Sequence, residues 1–281
     1  LVYYIAAYIY SEYISDKILI RNINSLSHGI LRYMGKKSAI IAIPIILLYL
    51  SPAPYLIILG NIIDKIIFNS QNFGISILIG VLLSTLYCFK GGFKSIINTD
   101  KYQFFFMFLG FFLMTIYILL YYDYGFEKLS IIISNNPKLF TIPGNEGWTY
   151  IISWGFLAIL TFIDPSFHQR TFSSKNKYEI KKGIRISILC WSIFDIMTLF
   201  CGLYAINMGP EAPYISLAGK LFTDIPILEA IFIIGILAVI MSTIDSYTFL
   251  SAITIGKDLR NIFNKDYNQN HINWGFFISI I

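Results

Sequence analysis

The chain has 281 residues, of which 56% are hydrophobic and only 13% are charged. Soluble domains carry about 25% charged residues, so this composition excludes an ordinary soluble globular protein. The net charge of +5 does not indicate nucleic-acid binding, because the basic residues follow a pattern that a membrane explains. Several apolar runs reach the ~20 residues that a transmembrane helix needs. The sequence therefore predicts an all-α polytopic membrane protein.

Eight apolar segments, joined by short connections, follow one another along the chain. The chain begins and ends inside such a segment, so we expect residues 1–281 to be a single transmembrane domain truncated at both ends. The segments cover residues 1–14 (partial), 38–67, 74–92, 102–122, 147–168, 183–208, 226–256 and 272–281 (partial).

Lysine and arginine are concentrated in every second connection. Connections 14–37, 90–101, 170–185 and 257–265 together hold 17 of the 21 basic residues. The positive-inside rule places these connections on the cytoplasmic side of the membrane. The alternation also supports the number of segments, because one missed helix would put successive basic connections on opposite sides.

The first segment carries Glu12 near its inner end. We expect this carboxylate to extend towards the membrane surface or to pair with a basic residue of a connection. Further along, the connection before the fourth segment contains a glycine pair, Gly91 and Gly92, which we expect to end the third segment. Thr99 is then a predicted N-cap, with Asp100 near the positive end of the next helix dipole.

The fifth segment ends in "TFIDPSFHQR", residues 161–170. Pro165 prevents Asp164 from continuing a regular helix. Asp164 and His168 have a spacing that metal ligands also use, but two ligands without a third are weak evidence for zinc. A helix-terminal cap at the cytoplasmic surface is the favoured interpretation of Asp164.

Asp195 lies near the middle of the sixth segment. An ionisable residue inside a membrane is a functional candidate by default, because burying its charge in hydrocarbon is costly. An interhelical hydrogen bond, for example with Ser192 or Thr198, explains it at least as well.

The seventh segment contains "GILAVIMSTIDSYTFLSAITIGKDL", which places polar side chains inside an apolar helix. Val239 and Thr243 lie one helical turn apart, as do Ser242 and Ser246. The Val239 carbonyl keeps a lone pair after its helical bond, so this carbonyl and the two hydroxyls of Ser242 and Thr243 offer three neutral oxygens to a small hard cation.

A packing role for the same residues is the alternative to this cation site, and the residue spacing alone favours the packing role. Gly235, Ala238, Ser242 and Ser246 form a stripe of small residues that suits close helix packing. Thr243 can also simply donate a hydrogen bond to the Val239 carbonyl. For Asp245, a functional role and a purely structural one are equally well supported. In the structural interpretation, the carboxylate lies near a water-filled vestibule or pairs with a neighbouring hydroxyl, for example that of Tyr247 or Ser246.

These stretches, taken together and in this order, resemble the sodium:solute symporter family, whose members have the LeuT-type inverted-repeat fold. The resemblance covers nearly all 281 residues, and the last block, with its Met-Ser-Thr triplet and its Asp-Ser pair, is the most specific. The four blocks are "TLYCFKGGFKSIINTDKYQ", "DPSFHQRTFSSKNKYEIKKG", "FDIMTLFCGLYA" and "LAVIMSTIDSYTFLSAITIGKDL".

The resemblance implies an incomplete LeuT-like helical bundle, with about core helices 2 to 9 present. In such symporters a sodium ion binds between a broken helix 1 and helix 8. Carried over by motif, the helix-8 ligands are the Val239 carbonyl and the hydroxyls of Ser242 and Thr243, and helix 1 would supply the other half. Asp100 aligns with an acidic residue that we place on the cytoplasmic exit path of the ion, for which Asp245 and Ser246 are further candidates.

The resemblance also implies a sodium-coupled symporter of a small organic solute, with no catalytic residue, in a bacterial cytoplasmic membrane. Sodium is the expected coupling ion, and lipid and the solute are the expected partners. A sugar is disfavoured, because the zones that would carry polar sugar ligands are mostly apolar. Weak candidates for substrate contact in these zones are Trp154, Trp191 and Asp195.

Two other functions remain open at this point. Symporter-like domains are sometimes fused to signalling kinases, so the chain could be a membrane sensor; it could also be an inactive remnant. Proton coupling is a variant of the symporter interpretation. An intramembrane protease lacks support, because the sequence shows no paired-Asp or Ser/His constellation.

Overall fold

The computed structural model describes residues 2–20, 23–85, 88–121, 125–206, 208 and 213–280. All regular secondary structure in these ranges is helical. The helices are α1 (Val2–Ile9), α2 (Ser15–Ile20), α3 (Leu26–Tyr49), α4 (Ala53–Ile67), α5 (Phe73–Thr85), α6 (Cys88–Tyr121), α7 (Phe126–Asn135), α8 (Gly147–Leu157), α9 (Pro165–Phe172), α10 (Lys177–Ala205), α11 (Pro213–Leu221), α12 (Pro226–Ile253), α13 (Leu259–Ile262) and α14 (Gln269–Ile280).

Tighter and wider turns join some of these helices. A π-helical turn, Tyr10–Ile14, connects α1 to α2, and a second, Thr254–Asp258, connects α12 to α13. Two 3₁₀ turns cover Pro137–Phe140 and Ala158–Phe162.

Five helical stretches of the described chain are long and apolar enough to cross a membrane, which confirms an all-α polytopic membrane protein. Each predicted segment contains a helix, and segment 74–92 is represented by a shorter apolar helix, Phe73–Leu83. The long stretches are Leu26–Ile67, Phe93–Tyr121, Gly147–Phe172, Lys177–Ala205 and Pro226–Ile262.

The predicted turn before the fourth segment is wrong. Gly91, Gly92 and Thr99 all lie inside α6, which runs without a break from Cys88 to Tyr121. The Thr99 hydroxyl donates to the backbone carbonyls of Ser95 (3.2 Å) and Ile96 (2.9 Å), as a threonine inside a helix does, so it is not an N-cap. Glycine weakens a helix by only about 1 kcal/mol, which the packing of a long helix can offset.

Two helices begin earlier than hydropathy predicts. Helix α3 begins at Leu26 instead of residue 38, with Ser25 as its N-cap, and it kinks at Gly35, where φ is +84°. Helix α10 begins at Lys177 instead of residue 183. Charged residues are compatible with helical backbone, so the apolar pattern marks where a helix becomes membrane-like and not where it starts.

The second segment is interrupted. Helix α3 ends at Tyr49, and α4 begins at Ala53 after Pro52. Pro52 suits the start of α4, because the missing N–H of a proline needs no partner there.

The described chain falls into two compact units, each made of three stretches. Unit 1 comprises Leu1–Glu12, Phe104–Phe162 and Lys181–Ala238. Unit 2 comprises Tyr13–Gln103, Ile163–Ile180 and Val239–Ile281.

Unit 1 holds α6 and α12 close together at two glycines. A Cβ at Gly235 would lie 2.9 Å from the Phe106 carbonyl oxygen, and one at Gly110 would lie 3.2 Å from the Ile231 carbonyl oxygen. Next to this crossing, Phe111 packs edge-on against Phe232 with ring centroids 5.0 Å apart. Small residues at a membrane helix interface allow such close backbone approach.

Unit 2 is built around an apolar cluster that α3, α6, α12 and α14 share. Its fully buried members include Leu50, Ile96 and Phe276. Helix α14 crosses α12 at Gly275, where a Cβ would lie 2.4 Å from the Ala252 carbonyl oxygen.

We expect Gly275→Ala to destabilise the protein, because the added methyl group meets backbone that cannot rotate away. Overpacking of this kind costs about 1–3 kcal/mol. The matched control is Gly155→Ala on α8, where a Cβ would have no neighbour within 4 Å, so its higher helix propensity should leave stability unchanged or improved. Thermal unfolding in detergent measures both, and an equal melting temperature for the two variants would contradict the predicted close packing at Gly275.

Candidate sodium site and polar cluster

Helix α12 places the three predicted sodium-ligand oxygens within one turn. The Ser242 hydroxyl donates to the Val239 carbonyl at 2.9 Å, and the Thr243 hydroxyl donates to the same oxygen at 3.4 Å. All three residues are half-buried. The bond from Thr243 is the one that the packing interpretation expects.

These bonds leave acceptor capacity on the oxygens. Each hydroxyl uses its single proton towards Val239 and keeps lone pairs on its oxygen. Neutral oxygens suit reversible binding of a monovalent ion, since a tightly held ion could not be released. The arrangement can therefore contribute two or three ligands to a sodium ion, and a complete site needs further oxygens from elsewhere.

Asp245 is completely buried, with 0% of its surface exposed. The Gln103 amide, on α6, donates to its carboxylate at 3.1 Å. Asp245 therefore has a hydrogen-bond partner on another helix. The sequence suggested only the neighbouring residues Tyr247 and Ser246 as partners. The Tyr247 ring packs edge-on against Tyr55, with centroids 5.6 Å apart.

Arg170, on α9, connects the other two predicted pathway residues. Its guanidinium lies 3.9 Å from the Asp100 carboxylate and donates to the Ser246 hydroxyl at 3.5 Å. Asp100, Arg170 and Ser246 thus form one set of polar contacts, and Gln103 and Asp245 form a second set, next to the first because Asp245 precedes Ser246 in the chain. We call these five residues the polar cluster. All five residues belong to unit 2.

The polar cluster keeps two unused acceptor oxygens. Oδ1 of Asp100 and Oε1 of Gln103 are buried and have no hydrogen-bond partner in the described part of the chain. Two carboxylates and one guanidinium leave a formal charge of −1. Spare oxygens and negative charge are what a transient binding place for a cation requires.

Sequence reasoning missed Gln103 and Arg170 as members of this cluster. Both stand in the blocks that carry the family resemblance. The sequence places Arg170 in a basic cytoplasmic connection, and only the helix packing shows that its side chain contacts Asp100 and Ser246.

Asp164 is a helix cap, as predicted. Its carboxylate accepts hydrogen bonds from the backbone N–H groups of Ser166 (2.7 Å) and Phe167 (3.0 Å) at the start of α9. It also accepts one from the Tyr49 hydroxyl at 2.8 Å. Across the described residues, no three His, Cys, Asp or Glu side chains come together as a metal-binding group.

Asp195 makes an interhelical hydrogen bond, but its partner differs from those suggested. The Tyr4 hydroxyl of α1 donates to its carboxylate. The Thr198 hydroxyl donates to the backbone carbonyl of Asp195 at 3.0 Å, and the Ser192 hydroxyl donates to that of Ile188. Only the fold brings α1 next to α10, so the sequence alone could not identify Tyr4.

The two tryptophans suggested for substrate contact lie in unit 1 with exposed side chains. Trp154 packs beside Tyr150 and Trp191 packs beside Phe194. Glu12, also in unit 1, pairs with Arg185 at 2.7 Å and with Lys181 at 3.5 Å. This confirms the expected pairing of Glu12 with basic residues of the 170–185 region.

Comparisons with known proteins agree with these observations. The model of the sodium:solute symporter family matches residues 27–281. The high-affinity proline transporter PutP of Bacillus subtilis (strain 168) is 26% identical over 228 residues, which cover 76% of this chain and 47% of that protein. The chain thus spans about half the length of this relative. With more than half of its residues matched by the family model, the chain belongs to the sodium:solute symporter family.

Proposed function

We propose that the complete protein is a symporter that uses the sodium gradient to take up a small organic solute across a bacterial cytoplasmic membrane. The observation that carries this proposal is the convergence of three oxygens, from Val239, Ser242 and Thr243, inside an apolar helix of a chain that belongs to this family.

Sodium binding is the first step of the proposed cycle. The three oxygens of α12 supply one half of the coordination shell, and a helix outside residues 1–281 supplies the other. Binding of the ion stabilises the outward-open state and strengthens binding of the solute. Because the two binding events are coupled, the solute strengthens sodium binding by the same factor by which sodium strengthens solute binding.

The polar cluster is the proposed exit path of the ion. After the change to the inward-open state, sodium leaves the three neutral oxygens and meets the spare acceptors of Asp100 and Gln103. The Arg170 guanidinium, close to Asp100, limits how strongly the carboxylate retains the ion. Binding there is therefore weak enough for release to the cytoplasm.

Uptake of a panel of small organic solutes identifies the transported one. The related PutP is named a proline transporter, so L-proline is the first probe, followed by other amino acids and small carboxylates. Trp154, Trp191 and Asp195 are the proposed positions at which to test contact with the solute.

Uptake into proteoliposomes containing the complete protein tests the proposal. We expect accumulation of a radiolabelled solute only with an inward sodium gradient, and none with potassium or choline in place of sodium. Accumulation driven equally well by a proton gradient without sodium would exclude sodium coupling. Solute binding without any translocation would favour a sensor.

A further inference from the structure

Asp258, the last residue of the π-helical turn Thr254–Asp258, is a buried carboxylate whose oxygens are unused. Its side chain is only 2% exposed. Among the residues that the structure describes, no group makes a hydrogen bond to either Oδ1 or Oδ2. Burying a carboxylate without a partner is strongly unfavourable, so such a residue indicates something that compensates its charge.

The Asp258 carboxylate lines a small cavity together with several other oxygens. The cavity has a volume of about 10 Å³, which is room for one water-sized occupant. Apolar residues of α3, α9 and α12, together with Leu50, enclose the rest of it. The polar residues in the wall are Ser25, Ser27, Gln169, Thr254 and Asp258.

Two serines at the start of α3 face the carboxylate without closing hydrogen bonds to it. Ser25 and Ser27 are close enough to Asp258 for their hydroxyls to stabilise its carboxylate as hydrogen-bond donors, although neither hydroxyl meets the full distance and angle criteria of a hydrogen bond. Both serines are themselves buried.

Among the described residues, no basic side chain forms an ion pair with Asp258, although the charge of Lys257 acts on it from the neighbouring position. The nearest one along the chain, Lys257, directs its ammonium group over the Tyr267 ring, 5.3 Å from the centroid. A protonated carboxyl group would need an acceptor for its O–H, and no group of the described residues makes a well-formed hydrogen bond with either oxygen.

The π-helical turn sets the position of the carboxylate. Its i→i+5 geometry widens the helix by one residue, and such turns occur frequently at functional sites. Gly256, inside the turn, allows it to lie directly on α14, since a Cβ there would be 2.4 Å from the His271 carbonyl oxygen. The backbone is therefore held on one side while Asp258 faces the cavity on the other.

We propose that Asp258, with the hydroxyls of Ser25, Ser27 and Thr254, binds a monovalent metal cation. One carboxylate and neutral oxygens match a single positive charge, and hard alkali cations prefer oxygen ligands. The site is distinct from the Val239–Thr243 oxygens, because Asp258 follows Thr243 by about four helical turns, or ~22 Å along the helix. It does not depend on the proposed transport activity.

Cation binding to the purified complete protein tests this site. The background is the Ser242→Ala, Thr243→Ala variant, which lacks the hydroxyls of the other candidate site. We expect this background to retain binding of ²²Na⁺, competed by unlabelled sodium or potassium, and to melt at a higher temperature in NaCl or KCl than in choline chloride. Adding Asp258→Asn should abolish both the binding and the shift.

Two further variants make the result decisive. Asp266→Asn changes an exposed carboxylate nearby and should preserve binding. Ser27→Ala keeps the carboxylate and should weaken binding, which provides a readout even if the Asp258 variant does not fold. The proposal is overturned if the background shows no cation-dependent binding or shift, or if Asp258→Asn or Ser27→Ala binds the cation as tightly as the background.

Discussion

Replacing Ser242 and Thr243 together by alanine is expected to raise the sodium concentration needed for half-maximal uptake by at least an order of magnitude. The change removes two of the three oxygens that α12 offers and leaves only the Val239 carbonyl. A tenfold weakening corresponds to about 1.4 kcal/mol, comparable to the net contribution of one or two hydrogen bonds. Initial uptake rates in proteoliposomes, measured across a range of sodium concentrations, give this value.

The matched control for this double variant is Ser192→Ala on α10. The Ser192 hydroxyl is also half-buried and also donates to a backbone carbonyl one turn earlier, that of Ile188. The Ser192→Ala variant should therefore show how the loss of such a hydrogen bond by itself affects the sodium dependence of uptake. Unchanged sodium dependence in the double variant would show that the two hydroxyls serve packing and not the ion.

Replacing Arg170 by alanine is expected to slow uptake about tenfold, the rate equivalent of roughly 1.4 kcal/mol. The change leaves the Asp100 carboxylate without its neighbouring cation, so Asp100 should retain the sodium ion longer on its way out. Removing the other charge as well, in Arg170→Ala with Asp100→Asn, should restore part of the rate.

The double variant separates an electrostatic role of Arg170 from a purely structural one. A double-mutant cycle gives the coupling between the two charges directly. Glu179→Gln, at an exposed position in the first turn of α10, removes a surface charge away from the polar cluster and should not affect uptake. If Arg170→Ala remains slow when Asp100 is neutral, the guanidinium acts through some other contact and the exit-path assignment of Asp100 fails.

Local pattern was sufficient for the parts of this protein that depend on neighbouring residues. The membrane class follows from long apolar runs. The cap at Asp164 follows from the proline after it, and the convergence of Val239, Ser242 and Thr243 follows from helical spacing alone. Helix ends were predicted less well, because hydropathy does not report where charged helical turns such as the first part of α3 begin.

The sequence by itself determined the helical membrane class, the family resemblance and the three oxygens on one turn of α12, since all of these are written in composition or in residues a few positions apart. Only the tertiary structure decided that Gln103 contacts Asp245, that Arg170 lies between Asp100 and Ser246, and that Tyr4 is the partner of Asp195. It also placed the buried carboxylate of Asp258 in one cavity with Ser25 and Ser27 at the start of α3. The physical reason is that a polar group in an apolar interior must find its partner wherever packing brings one, and these partners lie on helices far away in the chain.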